Sequence, residues 1–129
     1  MLSRNSALSL AASLYVASWC CPLQCLAQEV RFLVQRSNLA GYRYHEAPAV
    51  AANLLPGTAL DLIREADNPY DANAIRVEWQ GRKLGYVPRL RNAALAWAMD
   101  RGERLSARVV ADPLSNRARG RVTFEVYLH

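Results

Sequence analysis

Beyond residue 28 the chain consists mostly of short runs in which apolar and polar residues alternate, separated by turns rich in Gly, Pro and Asn. Glu29 to Arg36 (EVRFLVQR) sets Val30, Phe32 and Val34 against polar neighbours, the period of a half-buried strand. Thr58 to Arg64 repeats the pattern with Leu60 and Leu62. Ala74 to Trp79 and Arg82 to Val87 flank Gln80-Gly81, a two-residue connection of the hairpin kind, and Pro88 closes the second run. Leu105 to Ala111 and Arg121 to Leu128 are the last two strands, with a polar, arginine-bearing loop from Asp112 to Gly120 between them. The period changes only at Asn92 to Asp100, where Leu95, Ala98 and Met99 fall at helical spacing among good helix formers, before Gly102. Ala47 to Leu55 is alanine-rich and predicts a weak helical turn stopped by Pro56-Gly57. Trp79, Trp97 and Met99 are read as core. Six strands, one clear helix and no βαβ alternation predict a mainly β domain, a small six-stranded antiparallel barrel with one or two short helices.

The first 27 residues have a different character. Arg4 is their only charge, Ala7 to Leu23 is mostly apolar, and Leu23-Gln24-Cys25-Leu26-Ala27 places small residues where a signal peptidase reads. The expectation is a signal peptide over residues 1–27, cleaved before Gln28, giving an exported, periplasmic or secreted domain over residues 28–129. The alternative is a retained anchor, for which the run is short, since a membrane span needs about 20 apolar residues. All three cysteines (Cys20, Cys21, Cys25) lie in the leader, so the remaining chain has no thiol for a disulfide, a metal or a nucleophile.

Setting Arg4 aside lowers the formal charge from +5 to +4. Every basic residue except Lys83 is arginine, whose planar guanidinium suits phosphate. Arg89-Leu90-Arg91 and Arg117-Ala118-Arg119-Gly120-Arg121 can build a basic face for nucleic acid or serve as solubilising surface. The chain has two histidines, His45 and the terminal His129, and no G-x-x-x-x-G-K-[ST] phosphate loop. No catalytic residues, cofactor, metal or small-molecule substrate are expected, because no nucleophile with an activating partner can be assembled.

Three turns carry the remaining chemistry. In Asp67-Asn68-Pro69-Tyr70-Asp71-Ala72-Asn73, Asn68, Pro69 and Asn73 are explained by turn formation. Asp67 and Asp71 either hold a cation through oxygen ligands or cap backbone N–H groups as Asx-turns. Tyr70 beside Asp71 pairs a stacking ring with a hydrogen-bond acceptor. In Gly41-Tyr42-Arg43-Tyr44-His45, an arginine between aromatics pairs phosphate contact with base stacking, or is an edge-of-core tyrosine pair with a solvent arginine. Gly85-Tyr86-Val87-Pro88-Arg89 requires close backbone approach or a bulge at Gly85.

The run R-E-x-D-N-P-Y-D-x-N-A-I-x-V from Arg64, followed by G-x-x-L-G-Y-V-P-R from Gly81, resembles the HIRAN domain, a small β-rich module best known as the DNA-end-reading part of helicase-like fork remodellers. The resemblance spans nearly all of residues 28–129 and is specific in its central half. It implies an OB-like barrel that binds the 3′ end of single-stranded DNA. Carried onto this sequence, it makes Tyr44 and Tyr70 stacking groups, Arg43 a phosphate clamp, Asp71 the acceptor for the 3′-hydroxyl and Arg89 a phosphate contact. Tyr86 completes the nucleic-acid-binding set, although it departs from the histidine that relatives can carry after this glycine. ATP hydrolysis and zinc binding belong to other domains of the larger relatives. The rival reading is a non-catalytic cell-envelope module that uses the same pocket for another ligand or a protein partner, with membrane contact only if the leader is retained.

Overall fold

The computed structural model describes residues 29–111 and 120–129. The leader, its cleavage point before Gln28 and the arginines at 117 and 119 lie outside the described residues. Among the described residues, no helix is long and apolar enough to cross a membrane.

Six strands form one antiparallel sheet: β1 (Phe32–Asn38), β2 (Ala59–Arg64), β3 (Ile75–Trp79), β4 (Arg82–Tyr86), β5 (Leu105–Val109) and β6 (Thr123–Leu128), in the order β1-β6-β5-β2-β3-β4. Strand β2 joins two layers, pairing with β5 through Ala59 and Leu60 and with β3 from Asp61 to Arg64. Two short helices, α1 (Ala47–Val50) and α2 (Ala93–Asp100), lie in the connections. The sheet curls without closing into a ladder, an open barrel of the OB-like kind that was expected.

Its two ends are stitched together at one place. Just past β1, Ala40 pairs with Tyr86 of β4, each N–H donating to the other's carbonyl at 2.9 Å. Gly85 makes this approach possible: a Cβ there would stand 2.3 Å from the Ala40 carbonyl oxygen and 3.0 Å from Leu39 Cγ. The β3–β4 register also jumps here, from Val77↔Gly85 to Glu78↔Lys83, so Leu84 is a bulge. Both functions foreseen for Gly85, close approach and bulge, are present together. At the other end of the hairpin, Gln80 (φ 48°) and Gly81 (φ 78°) take the paired positive φ angles of a two-residue turn.

Between the layers lies a core of Phe124, Val126, Ile75, Val77, Leu84, Leu54 and Val50, all essentially solvent-free. Burying each such side chain contributes about 1.5–3 kcal/mol. Alternation explains most of the choice: Ile75 and Val77 point inward while Arg76 and Glu78 point outward.

Two sequence expectations fail against this arrangement. The first strand starts three residues later than expected, at Phe32, and its apolar side chains are exposed: Val30, Phe32, Leu33 and Val34 all face solvent, and Ser37 is the buried position. β1 is an edge strand, and its register with β6 slips between Leu33 and Gln35, so the alternation seen in sequence is broken before it reaches the core. The second is Trp97, read as core but 60% exposed. Leu95, Ala96, Ala98 and Met99 occupy one side of α2 against the core, and at about 100° per residue Trp97 falls opposite them. Trp79 and Met99 do pack on the core, partly buried.

Candidate nucleic-acid interface

The turn between β2 and β3 is built by its own side chains. Asn68 Oδ1 accepts the N–H groups of Tyr70 (2.9 Å) and Asp71 (3.2 Å), and Asp71 Oδ1 accepts that of Asn73 (2.9 Å). These are the Asx-turn contacts open to asparagine and aspartate in such a loop. Arg64 braces the turn from outside, donating to the carbonyls of Ala72 (2.7 Å) and Ala74 (3.1 Å) and pairing with Asp100 at 3.0 Å. The result is a fixed loop whose exposed tip is Tyr70, 85% accessible.

Glu65 ties this loop to the opposite wall. Its carboxylate accepts from Asn68 Nδ2 (3.0 Å), Arg76 Nη1 (2.8 Å) and the Tyr86 hydroxyl (3.0 Å). Burial alone pushes the Glu65 carboxyl upward, but these hydrogen bonds and the Arg76 charge outweigh it, and the group sits below its ordinary value. Tyr86 is thus held at both ends: its hydroxyl on Glu65, its ring edge-on to His45 at 5.7 Å, and the Lys83 ammonium over the ring at 4.5 Å. Burial and the neighbouring Lys83 charge depress the His45 imidazole below its ordinary value and favour the neutral ring, against a smaller opposing pull from Glu65.

At the Ala40–Tyr86 seam these walls enclose a pocket of about 290 Å³, lined by Ala40, Asn68, Tyr70, Asp71, Ala74, Tyr86, Val87 and Arg89. Four residues singled out from sequence therefore meet in one place: Tyr70, Asp71, Tyr86 and Arg89. Arg43 and Tyr44 do not line it. They stand on the adjoining 3₁₀ turn Tyr42–Tyr44, which starts two residues after Ala40, with Tyr44 85% exposed and Tyr42 buried. Asp71 keeps its second oxygen inward, where Oδ2 accepts from Asn92 Nδ2 at 2.7 Å. Among the described residues, no group of three or more His, Cys, Asp or Glu side chains is placed to hold a metal.

Sequence reasoning missed Arg64, Glu65, Asn92 and Ala40. Arg64 and Glu65 stand inside the quoted motif, but their roles depend on which strand faces which. Asn92 read only as the start of a helix, and Ala40 has no side-chain signal because it acts through its backbone.

The family described as HIRAN domain matches residues 32–129, from β1 to the last residue. The chain belongs to the HIRAN domain family. Among solved structures, a protein from Lactobacillus plantarum is similar at 31% identity, with 77% of this chain and 95% of that one aligned and a TM-score of 0.69. The HIRAN domain of human HLTF aligns over 73% of each chain at 23% identity, with a TM-score of 0.60. The HLTF HIRAN domain in its DNA-bound conformation aligns over 77% of each at 24% identity and a TM-score of 0.55. At that identity the HLTF likenesses speak for the fold. No curated protein matches the chain.

Proposed function

We infer that this HIRAN domain is a non-catalytic nucleic-acid-binding module that captures the 3′ end of single-stranded DNA. The observation that carries the reading is the seam pocket, where an exposed tyrosine, a fixed carboxylate and an arginine surround an apolar lining of Ala40, Ala74 and Val87. Membership of a family whose HLTF member has a DNA-bound structure supports nucleic acid as the ligand class. Tyr70, with Tyr44 on the neighbouring turn, stacks on the terminal bases, a contact open to any base because each has a π-face. Arg89 and Arg43 meet phosphates. Tyr86, its hydroxyl already held by Glu65, serves as a wall rather than a hydrogen-bonding group. Each Asp71 oxygen accepts one protein hydrogen bond, leaving further lone pairs for a 3′-hydroxyl.

The apolar leader and the small residues before Gln28 favour export, and with it a second reading in which the pocket serves a ligand or protein partner of the cell envelope. Fluorescence anisotropy with matched oligonucleotides ending in 3′-hydroxyl, 3′-phosphate or a blocked 5′ end separates the two. End capture requires tighter binding of the 3′-hydroxyl strand, and an Asp71→Ala variant that loses this preference while keeping general affinity. Equal affinity for every end, or no binding at low salt, overturns end capture in favour of the envelope reading.

A further inference from the structure

We propose that Asn92 is a positioning residue that fixes the Asp71 carboxylate and thereby sets the end-type selectivity of the pocket, an inference that rests on the end-capture reading. Asn92 is 1% exposed and immediately precedes α2. An asparagine there ordinarily caps the helix by accepting an N–H of its first turn. Here no side-chain cap is made. The side chain turns instead toward the β2–β3 turn and donates to Asp71 Oδ2 at 2.7 Å, across 21 positions of sequence.

The pairing has a chemical logic. A carboxylate held at one oxygen can still swing about its terminal torsion, which is broad for Asp. With Asn73 N–H on Oδ1 and Asn92 Nδ2 on Oδ2, both oxygens are fixed and the carboxylate plane is set. An amide donor does this without bringing a positive charge into the pocket. A fixed anionic acceptor takes a hydroxyl and repels a phosphate monoester, which is discrimination by rejection as well as by attraction. Asp71 also sits beside Tyr70 in the same pocket, so its orientation bears directly on what occupies that space.

The test compares wild type with Asn92→Ala, Asn92→Leu and Asp71→Ala, alone and combined, using full-chain protein and oligonucleotides ending in 3′-hydroxyl or 3′-phosphate. Removing Asn92 lowers the preference for 3′-hydroxyl by roughly fivefold to tenfold, the scale of one lost hydrogen bond. The same change has no effect on preference in the Asp71→Ala background. A purely structural role predicts something else: weaker binding of both strands alike, persisting without Asp71, and that result overturns the proposal. A second measurement needs no DNA. The Asn92 side-chain amide protons exchange slowly with solvent in wild type and rapidly in Asp71→Ala; fast exchange in wild type overturns the proposal even if the variants fold poorly. A wild type that holds the amide firmly but shows no end preference leaves the geometry standing, removes its assigned consequence and with it the proposal, and places the failure in the end-capture reading.

Discussion

Replacing Gly85 with alanine tests the seam that holds the pocket. The new methyl would lie 2.3 Å from the Ala40 carbonyl oxygen, where a separation under 3.0 Å forces something to move, and 3.0 and 3.2 Å from Leu39 Cγ and Cδ1. Neither neighbour yields cheaply: Ala40 O is backbone that accepts the Tyr86 N–H, and Leu39 is a buried core side chain. Losing the two 2.9 Å bonds of the Ala40–Tyr86 pair costs about 0.5–1.5 kcal/mol each. Overpacking against Leu39 costs about 1–3 kcal/mol, and since the two effects share one displacement, a total of about 2–4 kcal/mol is expected. For a domain of this size that lowers Tm by at least about 8 °C. Gly102→Ala is the control. It meets nothing within 4 Å and strains only its φ of +84°, for about 1–2 kcal/mol. Thermal unfolding followed by circular dichroism gives the stability, and amide exchange at Ala40 and Tyr86 locates the damage. If Gly85→Ala unfolds no earlier than the control, with both amides still protected, the seam does not hold the fold as argued.

Other expectations are more local. Tyr70→Ala costs roughly 1–3 kcal/mol of single-strand binding, while Arg43→Ala weakens all strands and flattens the salt dependence, because a phosphate contact releases counterions; anisotropy titrations at several salt concentrations check both. Glu65 and Glu125 are held below their ordinary value of 4.5, the second by hydrogen bonds from Tyr127 and Arg36. Carboxyls depressed in the folded state contribute stability that is complete above that value and is lost as pH falls through their lower folded values. Glu65→Gln should therefore shrink the stability difference between pH 6 and pH 3, read by urea unfolding at each pH. Intact mass of protein recovered from the envelope should correspond to a chain starting at Gln28; a full-length chain in the cytoplasm would refute export.

Strand β2 was legible because its inward positions do alternate, with Leu60 buried and Leu62 packed partly buried on the same core, and Ile75 and Val77 of β3 keep that period. β1 was not legible, since nothing in EVRFLVQR reveals that the strand lies at an edge or that its pairing slips at Val34. The pocket's chemical groups were visible in the turn motifs, and Asn68 and Asp71 cap the loop as such residues do. What joins them was not. Glu65 reaches Tyr86 across 21 positions, Arg36 reaches Glu125 across 89, and Asn92 gives up its helix cap for Asp71. Such choices are decided by which strands face each other, a tertiary fact that local spacing does not encode.

The seam also changes how the pocket's width should be understood. Ala40 follows the strand at one edge of the sheet, and Tyr86 ends the strand at the other, with five strand pairings between them. Each pairing adds a small twist, and the angles accumulate around the curl. Ala40 therefore joins the pocket wall only because the ladders between the two edges add up to closure, so the pocket depends on every strand pairing as well as on the turns that line it. A slip at the Val34 bulge or a change in the β3–β4 bulge at Leu84 alters that sum, so substitutions well outside the pocket are geometrically equivalent to opening or narrowing its mouth.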